Sequence, residues 1–200
     1  MGVIYVTSLE KRMGKTAVCA GLARHLLDDG RKVGFFKPIT IGSGLAQGTD
    51  SDAVFMKNVL ALDDPVESLC PVFRDATGIK EAFTGVSGNK DVVIVEGVDE
   101  QSPASYEIVK TLDARVIIVD AYLPDIPEDQ LVTACKFFED YLLGVVINKV
   151  PVSQSERVRT EASSSLGKTG IDILGVIPED RALFTLTVGE VAGQIGRAHV

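Results

Sequence analysis

Short apolar segments alternate with longer amphipathic segments along the chain. The short segments are four to seven residues long, largely apolar and rich in β-branched residues, which is typical of strands buried on both faces of a parallel sheet. The longer segments repeat apolar residues every three or four positions, as amphipathic helices do. The strands predicted in this way are Val3–Thr7, Val33–Phe36, Val92–Val95, Arg115–Val119, Leu142–Asn148 and Ile171–Ile177.

The segments between these strands predict the helices. Strand and helix alternate at a spacing that predicts an α/β fold, a doubly wound, mostly parallel sheet with helices on both faces. Asp63–Lys90 has prolines, glycines and weak periodicity and is predicted to be irregular, and Gly42–Gly48 is predicted to be a loop. One domain over residues 1–200 is expected, with a further C-terminal domain left open. The predicted helices are Lys15–Asp29, Asp52–Leu62, Ala104–Leu112, Glu128–Asp140, Ser153–Leu166 and Val188–Ile195.

Charge and composition narrow the range of partners. Acidic residues outnumber basic ones 28 to 20, for a net charge of −8, so no nucleic-acid partner is expected, because binding duplex phosphates needs a basic face. No apolar run approaches the roughly 20 residues of a membrane span, and no basic segment precedes the first strand. A cytoplasmic location without membrane contact is therefore predicted. The three cysteines lie far apart and only two histidines are present, which favours buried thiols over a zinc site or disulfides.

The sequence VTSLEKRMGKT leaves the first strand and enters the first helix. Backbone amides and the positive end of the helix dipole make such a turn an anion site. In the usual pattern GxxxxGK[ST], the lysine reaches the β- and γ-phosphates and the hydroxyl binds Mg²⁺. Leu9 stands where that pattern has glycine, so a loop of altered type is expected. The predicted nucleotide-binding residues here are Glu10, Lys11, Arg12, Met13, Gly14, Lys15, Thr16 and Ala17.

The order of motifs resembles that of the dethiobiotin synthetase family. The family pattern VTGTDTEVGKT aligns without gaps on Val6–Thr16, and later landmarks fall on Lys37-Pro38, Ser51-Asp52-Ala53, Glu96-Gly97 and Asn148. The segments GVVINKVP and LGVIPEDR most resemble the dethiobiotin-synthetase-like N-terminal domain of phosphotransacetylases. Cobyrinic acid a,c-diamide synthases are more distant relatives. The resemblance implies a P-loop NTPase fold, ATP or GTP with Mg²⁺, and a homodimer.

The landmarks carry expected roles. Lys37 would place a second positive charge on a transferring phosphoryl group, so Lys15 and Lys37 are the predicted catalytic residues. Glu96 closes an apolar strand, where a charge must face a crevice or be paired. Because Mg²⁺ favours oxygen ligands, the predicted metal ligands are Thr16, Asp52 and Glu96, with Asp50 as a nearby substitute for Asp52. The alternatives are a surface lysine at position 37 and a helix-dipole role for Asp52.

The nucleotide base is expected at the ends of the fifth and sixth strands. The family's asparagine reads the purine, and the amide of Asn148 can both donate and accept hydrogen bonds. Lys149, Pro178 and Glu179 are predicted to lie near the base as well. A turn-capping asparagine and a proline at a helix start explain the same residues without a nucleotide.

Several positions depart from the family. Lys11-Arg12 replaces Thr-Glu, Ile41 replaces a serine, and Val98-Asp99-Glu100 replaces the glycines beside the diamine pocket. Arg12 is a candidate phosphate clamp. Three functions stay open: a nucleotide-binding domain with a regulatory or weakly hydrolytic role, which is preferred; an ATP-dependent ligase that activates a carboxylate or carbamate for a small carboxylate or amine substrate; and a P-loop scaffold without nucleotide.

Overall fold

The computed structural model describes residues 1–40, 50–73, 78–97, 102–122 and 128–180. A short 3₁₀ turn, Val152–Gln154, precedes the last described helix. In chain order the elements are β1 (Gly2–Ser8), α1 (Lys15–Asp28), β2 (Val33–Phe36), β3 (Ile39–Thr40), α2 (Ser51–Leu60), α3 (Val66–Leu69), β4 (Val72–Phe73), α4 (Ile79–Ser87), β5 (Val92–Glu96), α5 (Pro103–Leu112), β6 (Arg115–Ala121), α6 (Glu128–Phe137), β7 (Leu142–Val150), α7 (Ser155–Gly167) and β8 (Ile173–Pro178).

Six strands form one sheet in the order β2-β5-β1-β6-β7-β8, and every pairing in it is parallel. A separate parallel pair joins β3 and β4. From β1 the chain moves outward to β2, whereas from β5 it crosses β1 and continues to β6. The direction of winding therefore reverses next to β1, and in open α/β sheets ligands bind at the carboxyl ends of the strands beside such a reversal.

Helices cover both faces of the sheet. The ring of Phe138, directly after α6, lies 6.4 Å from that of Tyr5 on β1. Thr16 of α1 instead bonds Glu96, the register partner of Val6. Successive residues of a strand point to opposite faces, so Tyr5 and Val6 lie on opposite faces of the sheet. Phe138, next to α6, is on the Tyr5 face, and α1 is on the face shared by Val6 and Glu96. The two helices therefore cover opposite faces. The predicted architecture is confirmed.

The predicted elements agree with the structure except in one segment. The six strands and the first five predicted helices are present, with bounds within three residues of those expected. The prediction of an irregular Asp63–Lys90 was wrong, because α3, β4 and α4 lie within it. In α4, Ile79, Phe83 and Val86 are buried at helical spacing, and Phe83 packs edge-on against Phe36 with ring centroids 5.5 Å apart. Tertiary packing thus stabilises a helix whose glycines had argued against one.

Two predicted elements, the loop Gly42–Gly48 and the helix Val188–Ile195, lie outside the described residues. The single domain over residues 1–200 stays a prediction. No helix in the described part of the chain combines the length and the hydrophobicity needed to cross a bilayer.

Candidate functional site

The loop between β1 and α1 reverses the chain through two left-handed residues. Gly14, which precedes α1, has φ of 95°, and Arg12 has φ of 64°. A Cβ on Gly14 would lie 2.2 Å from Nδ2 of Asn148, so glycine is required here by space as well as by conformation. Leu9 is not among the left-handed residues, which explains how this loop accommodates leucine where the usual pattern has glycine.

Lys15 folds back into the loop instead of pointing to solvent. Its side chain is buried, and Nζ donates a hydrogen bond of 3.1 Å to Oγ of Ser8. The Ser8 hydroxyl in turn donates to the carbonyl of Glu10 at 2.6 Å. The loop therefore surrounds an ammonium group at the amino end of a helix, where an anionic ligand is favoured.

The end of β7 holds the same loop from its other side. Nδ2 of Asn148 donates to the carbonyl of Met13 at 2.9 Å, and Nζ of Lys149 donates to the carbonyl of Arg12 at 2.5 Å. Lys149 has φ of 58°, an uncommon left-handed conformation for lysine. Two adjacent side chains thus fix two successive carbonyls of the loop, a contact that the sequence does not suggest.

Lys37 and three carboxylates meet beside the first turn of α1. Nζ of Lys37 lies 3.1 Å from Asp50, 2.5 Å from Asp52 and 3.4 Å from Glu96. Thr16 Oγ1 donates to Oε1 of Glu96 at 3.0 Å. Asp50 also caps α2 by accepting a hydrogen bond from the backbone N–H of Ala53. The predicted metal ligands and one predicted catalytic lysine are therefore in one cluster.

Burial and charge act together on this cluster. Burial by itself would lower the pKa of Lys37, but Glu96, Asp52 and Asp50 outweigh burial and raise that pKa above its ordinary value. Burial raises the pKa of Glu96, and the charge of Lys37 limits the increase. Lys37 therefore stays protonated and positively charged at neutral pH.

The remaining predicted residues lie around this centre. Glu10, Lys11, Arg12 and Ala17 are exposed, whereas the side chain of Met13 is buried. Pro178 and Glu179 are at the carboxyl end of β8, where the N–H of Glu179 donates to the carbonyl of Val150. They share the edge of the sheet with the loop, but their described backbone contact is with β7.

The three cysteines are free thiols, as predicted. Cys19 and Cys135 are buried, whereas Cys70 is only partly buried. Burial raises the pKa of all three, to about 12 for Cys70 and about 11 for Cys135. None therefore has the thiolate character of a nucleophilic cysteine at neutral pH.

Asp120 is a buried carboxylate that the sequence reasoning missed. It lies near the carboxyl end of β6, is 3% exposed, and its Oδ2 has no hydrogen-bond partner among the described residues. Burial raises the pKa of Asp120 to about 6; the N–H of Ala121 opposes the increase and Glu10 adds to it. The signal was available, because Asp120 ends an apolar strand as Glu96 does.

The raised pKa of Asp120 gives a pH-dependent stability. The folded protein holds this proton more tightly than the unfolded chain, so stability falls as pH rises from about 4 to about 6 and stays lower above that. We expect Asp120→Asn to raise the free energy of unfolding at pH 7 by about 1–3 kcal/mol, with little gain at pH 4. Urea unfolding at both pH values measures this, with the exposed Asp172→Asn as control. An equal gain at both pH values would contradict the prediction.

The fold and the loop define a class of protein. A parallel sheet with this winding, and a strand–loop–helix ending in Gly14, Lys15 and Thr16, is the architecture of P-loop α/β proteins. Residues 3–185 match the AAA_26 family, described as an AAA domain. The chain belongs to this family.

Sequence relatives fall into two groups. The chain is 28% identical over 229 residues to a phosphate acetyltransferase of Pseudomonas putida, covering 98% of this chain and 32% of the relative. It is 25% identical over 205 residues to an ATP-dependent dethiobiotin synthetase of Brachyspira hyodysenteriae, covering 87% of this chain and 90% of the relative. The chain thus spans about a quarter to a third of the phosphate acetyltransferases it matches, whereas the synthetase is matched along most of its length.

Solved structures agree on the fold. The MinC:MinD cell division complex of Aquifex aeolicus gives a TM-score of 0.61 at 20% identity, covering 90% of this chain and 82% of that one. A nucleotide-binding protein from Archaeoglobus fulgidus in complex with ADP gives 0.58 at 19% identity, covering 92% and 84%.

Proposed function

We propose that this chain is a Mg²⁺-dependent nucleotide-binding domain that takes ATP or GTP at its phosphate loop, with a regulatory or weakly hydrolytic role. The observation that carries the proposal is the buried ammonium of Lys15, held inside the loop at the amino end of α1 with the Thr16 hydroxyl beside it. A lysine ammonium among the backbone amides at the positive end of a helix is an arrangement that binds phosphates.

The residues present fit a magnesium ion that arrives with a nucleotide. Oε2 of Glu96 is buried and lacks a hydrogen-bond partner among the described residues, and Oε1 accepts from Thr16. In the described part of the chain, no three acidic, histidine or cysteine side chains form a metal site by themselves. This suits Mg²⁺, which is usually held by one or two carboxylates, waters and substrate phosphates. Thr16, Asp52 and Glu96 would hold it, and the ion would neutralise charge developing on the phosphates.

We place the base at the carboxyl ends of β7 and β8. Asn148 and Lys149 contact the loop carbonyls from this side, and Pro178 and Glu179 follow on the next strand. The amide of Asn148 would then both support the loop and face the purine. Lys15 and Lys37 remain the residues proposed to act on the phosphates.

The relatives support nucleotide binding more directly than they support a particular activity. Solved neighbours include the protein in complex with ADP and a septum site-determining protein complexed with Mg-ADP. The match to part of the phosphate acetyltransferases supports a domain that also occurs within larger proteins, and the regulatory role is our proposal for it. A homodimer and a cytoplasmic location belong to the same proposal.

The second candidate is an ATP-dependent ligase. It is supported by relatives named dethiobiotin synthetase, which are matched along 74% to 96% of their length. Such an enzyme would need Lys37 on the transferring phosphoryl group and a pocket for an amine. ATP-dependent phosphate release that appears only with bicarbonate and a diamine would favour it over the regulatory role.

The test of the proposal is calorimetric titration of ATP, GTP and ADP, each with and without Mg²⁺, into the protein. We expect dissociation constants on the order of micromolar, with tighter binding in the presence of Mg²⁺. Comparison of the ATP and GTP titrations identifies the preferred base. Failure of all three nucleotides to bind would reject the proposal and leave a P-loop scaffold without nucleotide.

A further inference from the structure

The ammonium of Lys37 is held by the carboxylates that are proposed to receive the metal. Its backbone N–H donates to the carbonyl of Leu69 at 2.7 Å, and its side chain is 13% exposed. Asp50, Asp52 and Glu96 all lie within 3.4 Å of Nζ. Nζ donates hydrogen bonds to Asp50 and Asp52, and Glu96 adds an ion-pair contact at 3.4 Å.

In this arrangement carboxylates engage the ammonium of Lys37. The nucleotide role needs Nζ to face phosphate oxygens, whereas the observed contacts direct it toward carboxylates. The cluster combines three carboxylates with the ammonium of Lys37, and the charge of Lys15 also acts on Glu96. Three carboxylates that share one ammonium attract a divalent cation.

We infer that Lys37 is an internal counter-ion that Mg²⁺ displaces from Asp52 and Glu96, so that arrival of the metal releases Lys37 toward the phosphates. This rests on the proposed function, because it needs the metal and the nucleotide to meet at this loop. In the protein without metal the lysine keeps the carboxylates from repelling one another. Once the metal takes two of them, the ammonium loses most of its attraction and is free to turn. Lys37 therefore acts on a phosphate only after a metal has bound.

The experiment removes the ammonium of Lys37 and measures the affinity for a divalent metal ion in the absence of nucleotide. We expect Lys37→Met to bind Mn²⁺ roughly tenfold or more tightly than wild type does. Electron paramagnetic resonance in the absence of nucleotide measures the two affinities. The reason is that the carboxylates keep their charge while their internal partner is gone. Lys32→Met is the matched control, because this substitution also removes one positive charge. Lys32 is exposed and directly precedes β2, whereas Lys37 directly follows it. Lys32→Met should leave Mn²⁺ affinity unchanged.

A double variant locates the effect. Adding Asp52→Asn to Lys37→Met should abolish the gain, because Asp52 is one of the carboxylates released. Equal or weaker Mn²⁺ binding by Lys37→Met than by wild type would overturn the inference. If Lys37→Met is too unstable without metal for a direct titration, the thermal unfolding of the variant and of wild type is followed at increasing Mn²⁺ concentrations. Stabilisation larger than that of wild type supports the inference, and no stabilisation overturns it.

The inference and the proposed function fail separately. Titration of Mg·ADP into wild type tests the function, and Mn²⁺ alone tests the displacement. Tighter Mn²⁺ binding by the variant, with no binding of ATP, GTP or ADP by wild type, would reject the nucleotide role and retain Lys37 as a counter-ion. ADP binding without any change in Mn²⁺ affinity would reject the displacement alone.

Discussion

Lys15→Ala is expected to weaken nucleotide binding by roughly a hundredfold or more while leaving the protein folded. The ammonium of Lys15 is buried within the loop, 3.1 Å from Ser8 Oγ, at the amino end of α1. Its removal would take away the proposed charge-assisted contact with the β- and γ-phosphates, for which water is a poor replacement. Calorimetric titration of Mg·ATP into both proteins measures the loss.

The free energy of unfolding of Lys15→Ala should not fall together with its nucleotide affinity. A positive charge in the first turn of a helix is unfavourable, and alanine is the best helix former, so the free energy of unfolding should stay constant or rise by up to about 1 kcal/mol. A residue kept for packing would lose stability together with binding. Urea unfolding of the same samples therefore separates a binding role from a structural one.

Arg24→Ala is the matched control for Lys15→Ala. Arg24 lies on the same helix, is 64% exposed and pairs with Asp28 on the surface. Its loss changes the net charge equally but removes only a surface ion pair, so affinity should be unchanged. Equal affinities of Lys15→Ala and Arg24→Ala would mean that the loop is not the phosphate site.

The sequence predicts single strands and their ends better than it predicts which side chains meet. An acidic residue that ends an apolar strand marks both Glu96 and Asp120, yet only Glu96 coincided with a family landmark. The face of the sheet on which each lies follows from register. Val6 pairs with Glu96, and Ser8 pairs with Val119, so Asp120 points away from the Glu96 face. That information requires the order of the strands, which periodicity does not contain.

The contact between Asn148 and the loop shows the same limit over a longer distance. The two partners are 135 residues apart, and their meeting depends on β6 lying between β1 and β7 in the sheet. The sequence identified both ends, Gly14 through its motif and Asn148 through the family landmark at the end of the fifth predicted strand. It assigned Asn148 to the base or to a turn cap, and not to the loop, because a hydrogen bond to a distant backbone carbonyl leaves no mark in the sequence.

The same contact makes Gly14→Ala a strongly disruptive addition of a single methyl group. The new Cβ would lie 2.2 Å from Nδ2 of Asn148, and φ of 95° is strained for any residue with a side chain. Asn148 must then move, which breaks its hydrogen bond to the Met13 carbonyl. We expect a loss of about 2–4 kcal/mol in the free energy of unfolding, and loss of nucleotide binding because the loop carbonyls and amides shift together.

Two comparisons separate the clash from the change of residue type. Gly21→Ala on the same helix has no atom within 4 Å of its new Cβ and should stabilise the protein by about 0.5–1 kcal/mol. In an Asn148→Ala background the clash is absent, so Gly14→Ala should cost only the strain in φ. A double-mutant cycle measured by urea unfolding should therefore give a coupling energy of about 1–3 kcal/mol. If Gly14→Ala costs the same in both backgrounds, β7 does not hold the loop in the way described. The support of the phosphate loop would then have to come from α1 and β1 alone.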